Sequence, residues 1–176
     1  MKKQSKVYLA GLLDGDGCFS LSLTCRDFNR GICITPQMRI GLKGNDGKFL
    51  EDLQKEFGIG KIYYSNRDKE NAICSWQTVN TKDALTLAEM VFPYIRLKKQ
   101  KCEKFIEIVK YYQKTSNPKG HSRVMAKGKR LRTREEIEKI VKLAISLNYD
   151  RQTKRYREYH GWEYWKPIIE RLYPES

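Results

Sequence analysis

Along the first third of the chain, apolar and polar positions alternate. From Cys18 to Arg26, Phe19, Leu21, Leu23 and Cys25 fall on one side and Ser20, Ser22, Thr24 and Arg26 on the other. Period-two spacing of this kind predicts a strand with one buried face. Residues 27–31 supply a turn carrying Arg30. The alternation then resumes, with Ile32, Ile34, Met38, Ile40 and Leu42 opposed to Cys33, Thr35, Gln37, Arg39 and Lys43. Pro36 inside that run points to an edge or a bulge. A second strand pair is expected over 60–67 and 72–79, with Lys61, Tyr63, Ser65, Arg67, Ser75 and Gln77 on its solvent side.

Between and after these pairs the spacing becomes helical. Residues 5–14 read as a short helix with Ser5 as N-cap, broken by Gly17. Phe49, Leu50, Leu53 and Phe57 share a helical face that Gly58 stops. Thr81 is the expected cap of a helix running to Val91, and Pro93 ends it. A helix over 98–113 places Cys102, Phe105, Ile106, Val109 and Tyr112 on one face. Thr133-x-x-Glu136 has the form of a capping box before Ile137, Ile140, Val141 and Ala144. A last helix is expected near 162–173. The order helix, hairpin, helix, hairpin, helix, helix predicts an α+β fold with an antiparallel sheet.

A chain of 176 residues is long enough for one core with an added tail. The expected division is a core over 1–113, a basic loop over 114–134 and a helical, basic extension over 135–176. No apolar run approaches the roughly 18 residues of a membrane span, and Met1-Lys-Lys-Gln-Ser-Lys6 is not followed by a signal-peptide core. The five cysteines are odd in number and form no Cys-x-x-Cys, which argues against a disulfide scaffold or zinc ribbon. An intracellular protein is expected, neither secreted nor membrane-bound, in a prokaryotic cytoplasm or a eukaryotic nucleus or organelle.

The net charge of +14 makes a polyanion the natural partner. It is unevenly spread: residues 1–110 hold 19 basic and 13 acidic side chains, residues 111–176 hold 16 and 8. Between Lys114 and Arg134 there are eight Lys or Arg and no acid, among Gly, Pro, Ser and Asn that read as a loop or a solvated linker. The polar strand positions carry no acid either. A two-stranded ribbon fits the major groove, so these positions are candidate DNA contacts. A half-exposed sheet always alternates this way, and alternation alone does not identify the partner.

The most informative stretch is Leu9-Ala-Gly-Leu-Leu-Asp-Gly-Asp-Gly17. Gly11 and Gly15 lie on one helix face, where a second backbone could approach closely. Asp14 and Asp16 cluster at the helix's C-terminal end, where the macrodipole disfavours negative charge. Either the acids are incidental to a glycine-stopped helix, or a hard cation such as Mg²⁺ belongs there.

Residues 9–17 resemble the signature of the LAGLIDADG homing endonucleases, differing at Leu13 and Gly15. The resemblance extends through the element order and includes Phe49-Leu-x-x-Leu-x-x-x-x-Gly-x-Gly60 and Pro93-x-x-x-Leu-Lys98. It implies a saddle-like antiparallel sheet lying along the major groove, and an endonuclease making double-strand breaks at a long pseudo-palindromic target in intron homing. It also implies Mg²⁺ held by Asp16 beside the Gly15 carbonyl, with Asp14 supporting the helix end and Lys98 near the cleavage centre. Where family members often place Gln and Arg to order the attacking water, this chain has Leu42 and Asp46, so either Lys43 or Lys48 substitutes or the register is shifted by one. Residues 148–156 resemble a basic loop of compact members, with Lys154, next to Arg155, as the candidate contact.

A second copy of the motif is absent; residues 143–150 echo it without the glycines or the second acid. A single motif supplies one acid, so a twofold homodimer is expected with Gly11 and Gly15 at its axis. Two alternatives use the same scaffold: an RNA maturase binding intron RNA, and a non-catalytic DNA-binding regulator.

Overall fold

The computed structural model describes residues 3–25, 32–43, 46–65, 72–115, 133–148 and 161–174. Arg26, Arg30, Arg67, Lys154 and Arg155, with most of the 114–134 loop, lie outside the described residues. The elements are α1 (Lys3–Gly15), β1 (Gly17–Thr24), β2 (Cys33–Lys43), α2 (Gly47–Phe57), β3 (Lys61–Ser65), β4 (Ile73–Gln77), α3 (Thr81–Val91), α4 (Lys99–Thr115), α5 (Arg134–Asn148) and α6 (Trp162–Leu172). This is a mixed fold of helices and a four-stranded antiparallel sheet, in the order β1-β2-β4-β3. Contacts divide the chain into two units, Met1–Ser20 with Pro36–Ile106, and Leu21–Thr35 with Glu107–Ser176.

In the first unit the core face of the sheet is set by period two. Met38 and Ile40 of β2 and Cys74 and Trp76 of β4 are buried, together with Leu9, Ala10 and Leu13 of α1, Leu50, Leu53 and Phe57 of α2, and Leu87 and Val91 of α3. Trp76 closes the α2 corner: its ring meets Phe57 at 5.8 Å and its Nε1 donates to the Ile59 carbonyl at 2.8 Å. The chain returns from α2 through Gly58 (φ 64°) and Gly60 (φ 77°). A Cβ on Gly60 would lie 2.5 Å from the Gln77 carbonyl, so backbone conformation and close approach both require glycine there.

Two local expectations are corrected, and a third is met in part. Helix α1 begins at Lys3, which leaves Ser5 inside it; its polar first turn is solvated and does not interrupt the helix. The cap of α3 is Asn80, not Thr81. Asn80 has the extended backbone a cap needs (φ −146°, ψ 165°), and its Oδ1 accepts from Asp83 N at 2.8 Å. Pro36 sits in no bulge, since burial of Ile34, Pro36, Met38 and Ile40 keeps strict alternation, but it falls where β2 has no β4 partner, locally the edge position expected. Its missing N–H does not disturb the register with β4, which begins at Arg39.

In the second unit α5 packs on α6 through Ile137, Ile140, Val141, Ala144, Trp165 and Ile169. The capping box forms as the spacing predicts, Glu136 N donating to Thr133 Oγ1 at 3.2 Å and Thr133 N to Glu136 Oε2 at 3.0 Å. At the end of α5 the Asn148 side chain pairs with the Leu21 backbone, accepting from its N–H at 3.3 Å and donating to its carbonyl at 2.8 Å. Among the described residues no helix is long and apolar enough to cross a membrane.

Candidate active site and nucleic-acid interface

Helix α1 buries Leu9, Ala10 and Leu13 on one side. The turn into β1 passes so close to Leu13 that a Cβ on Gly17 would lie 2.5 Å from its side chain, and this tight return defines the mouth of the site. Leu13, Gly15 and Gly17 all offer backbone oxygens there. Helix C-termini leave carbonyls unpaired, and here one cation takes three of them. Lys98 Nζ donates to Leu13 O at 3.0 Å, Gly15 O at 2.9 Å and Gly17 O at 2.8 Å. An ammonium has three N–H donors, and all three are used.

Asp14 makes the reciprocal contact. Its carboxylate accepts from Arg96 N at 2.7 Å and Lys98 N at 2.9 Å, at the turn that opens α4. A helix N-terminus favours negative charge. Burial pulls the Asp14 carboxyl upward, but the N–H groups of Lys98, Arg96 and Leu97 and the Lys98 charge outweigh it and hold it below the ordinary 3.8. So α1 sends an acid to the start of α4, and the residue before α4 sends a cation to the end of α1.

Asp16 lies just past this clamp. Its N–H closes the last turn on Leu12 O at 2.9 Å, and the residue is exposed. An exposed carboxylate beside the Gly15 carbonyl is an oxygen-only donor set, which fits a hard divalent cation. Among the described residues no three His, Cys, Asp or Glu side chains converge on one point. Cys102 is buried, and burial, with Asp14 and Glu103 nearby, pushes its thiol up to about 12. Lys43 closes β2 in an exposed position, and Lys48 is held by Asp52 at 2.6 Å.

The outer face of β2, β4 and β3 carries Arg39, Gly41 and Lys43, then Ile73, Ser75 and Gln77, then Lys61, Tyr63 and Ser65. In register, Gln77 stands between Arg39 and Lys61, Ser75 between Gly41 and Tyr63, and Ile73 between Lys43 and Ser65. Arg39, Lys43, Lys61, Tyr63 and Ser65 are exposed, and Gln37 and Gln77 half-buried. Ser75 shares the face but is only 3% exposed, so it is not open to solvent as the alternation predicted. Its Oγ accepts from Gln77 Nε2 at 3.0 Å, which holds the larger amide in place. Along β1 and early β2, Ser22 is exposed and Ser20, Thr24 and Thr35 are half-buried.

Gly11 and Gly15 are exposed, with no atom within 4 Å of where a Cβ would stand. The fold of one chain therefore does not explain either glycine. Beside them Val7 and Tyr8 remain exposed, Tyr8 meets Phe49 edge-on at 5.7 Å, and Leu97 is 84% exposed. For Val7 and Tyr8 the signal in the sequence is the run from Val7 to Leu13 without a charged residue, which marks a helix with two faces to bury.

The clamp between Asp14 and Lys98 closes the end of a glycine-bearing helix, and a polar antiparallel sheet accompanies it on an α+β scaffold. The LAGLIDADG endonuclease family profile matches residues 9–112, and the chain belongs to that family. The DNA endonuclease I-CvuI of Chlorella vulgaris is 26% identical over 116 residues, covering 64% of this chain and 68% of that protein. The fold is similar to a crystal structure of I-CvuI bound to the I-CreI target in the presence of Mg, with DNA not cleaved (TM-score 0.75, 18% identity, 97% of this chain and 95% of that one). It is also similar to the archaeal intron-encoded homing endonuclease I-Vdi141I complexed with DNA (TM-score 0.71, 22% identity, 98% of each chain).

Proposed function

We propose that this chain is an intracellular, site-specific homing endonuclease. As a twofold dimer it hydrolyses one phosphodiester in each strand of a long pseudo-palindromic duplex. The observation that carries the reading is the exposed Asp16 carboxylate beside the Gly15 carbonyl, at a helix end held by Lys98. Asp16 and Gly15 O would hold Mg²⁺, which when bound polarises a phosphate oxygen and lowers the pKa of water. Lys98 keeps positive charge beside the scissile phosphate and fixes the helix end that presents Asp16. Lys43 is the candidate for orienting water. I-CvuI has been crystallised with DNA in Mg and with its target in Ca, which supports a divalent cation.

Arg39, Gln37, Thr35, Lys61, Tyr63, Ser65 and Gln77 contact the major groove, with Ser20, Ser22 and Thr24 on β1, and Ser75 positions Gln77. The basic loop 114–134 and the 135–176 extension add backbone contacts. The open glycines at positions 11 and 15, with exposed Val7, Tyr8 and Leu97, support a second copy of this chain as the partner of α1. The test is Asp16→Asn, incubated with Mg²⁺ and the intronless allele of the host locus. Cleavage is expected to disappear while duplex binding persists, and a variant that still cuts would overturn the assignment.

A further inference from the structure

The outer face of β2, β4 and β3 is polar at almost every position, and Ile73 is its one aliphatic side chain. It stands in an interior strand between Lys43 and Ser65 and is 42% exposed. The placement is not a slipped register, because a shift by one residue would expose Trp76, which is 2% exposed on the core face. Along the neighbouring strand Gly41 has no side chain, and a Cβ there would lie 3.9 Å from Ile73 Cγ2. One flank of Ile73 is thereby left uncovered, beside a floor formed by buried Ser75. Tyr63, 46% exposed, lies diagonally across the same face.

The surrounding groups suit a duplex: Arg39, Lys43 and Lys61 suit phosphates, and Gln77 suits a base edge. An isoleucine among them meets neither need. The major groove of B-DNA presents one apolar group, the 5-methyl of thymine. We infer that Ile73 is a specificity-determining residue that reads a thymine methyl group in the target. The inference rests on the endonuclease reading of the sheet face.

The test uses the full chain to select duplexes from a randomised pool in Ca²⁺, then replaces each thymine of the selected site, one at a time, by deoxyuridine. At one position in each half-site, uracil is expected to weaken binding about fourfold, the worth of one buried methyl group. Ile73→Ala should bind the thymine and uracil duplexes equally, and Ile73→Val, which keeps the branched methyls, should still discriminate. An enriched site at which no thymine is sensitive overturns this inference alone, as does the same sensitivity in Ile73→Ala. A pool from which no sequence is enriched overturns the endonuclease reading and this inference with it.

Discussion

Asparagine at position 14 changes one atom of the clamp and removes its charge. The Asp14 carboxylate accepts from Arg96 N at 2.7 Å through one oxygen and from Lys98 N at 2.9 Å through the other. An asparagine keeps one acceptor and turns an N–H₂ toward the second backbone N–H. The variant therefore loses one charge-assisted hydrogen bond, roughly 1.5–3 kcal/mol. It also loses a favourable charge at the start of α4, roughly 0.3–1 kcal/mol. Asp14 is only half-buried and solvent screens part of this, so the expected loss is about 2 kcal/mol. For a chain of this size that lowers Tm by about 4–8 °C.

The pH dependence supplies a second constraint. A carboxyl held below 3.8 in the fold contributes its stability in full above the unfolded value and loses it as pH falls through the lower folded value. The Tm gap between the wild type and Asp14→Asn should therefore stay constant through the neutral range and narrow as pH drops below roughly 4. Melting curves by circular dichroism from pH 3 to 8 measure both. Equal Tm values at pH 7, or a gap that widens on acidification, would refute the clamp as a source of stability.

The other predictions concern the same helix end and its surroundings. Lys98→Met removes three N–H donors from the end of α1 and should slow single-turnover cleavage about 10²-fold or more, with binding less affected. Lys98→Arg should not restore the rate, because a planar fork cannot reach three converging carbonyls. Gly11→Arg starts its side chain where a Cβ has open space, and for the proposed dimer sedimentation should show a lighter species than the wild type. Gly60→Ala forces a side chain into a left-handed position 2.5 Å from the Gln77 carbonyl, and the urea midpoint should fall by the equivalent of about 2 kcal/mol or more.

Reading the chain alone failed in instructive places. Thr81 and Asn80 are both good caps, and only the backbone angles at the junction select Asn80. Ser75 alternates correctly with its neighbours, yet it is only 3% exposed, and its Oγ is engaged by Gln77. Asp14 and Asp16 do cluster at the C-terminal end of α1, but spacing did not reveal that Asp14 faces the favourable start of α4 or that Lys98 reaches the α1 carbonyls.

What the sequence determined by itself was everything set by short-range spacing: the strand alternation, the helical faces, the Thr133 capping box and the nine residues that mark the family. Those signals work because a side chain's direction follows from its own backbone period. What only the tertiary structure decided was which groups meet across long chain separations. Asp14 and Lys98 lie 84 residues apart and neither has a local reason to choose the other. Their pairing depends on the packing of α1 and α3, which brings the start of α4 to the end of α1. Hydrogen bonds and charge interactions then act over a few ångströms, and no pattern along the chain records them.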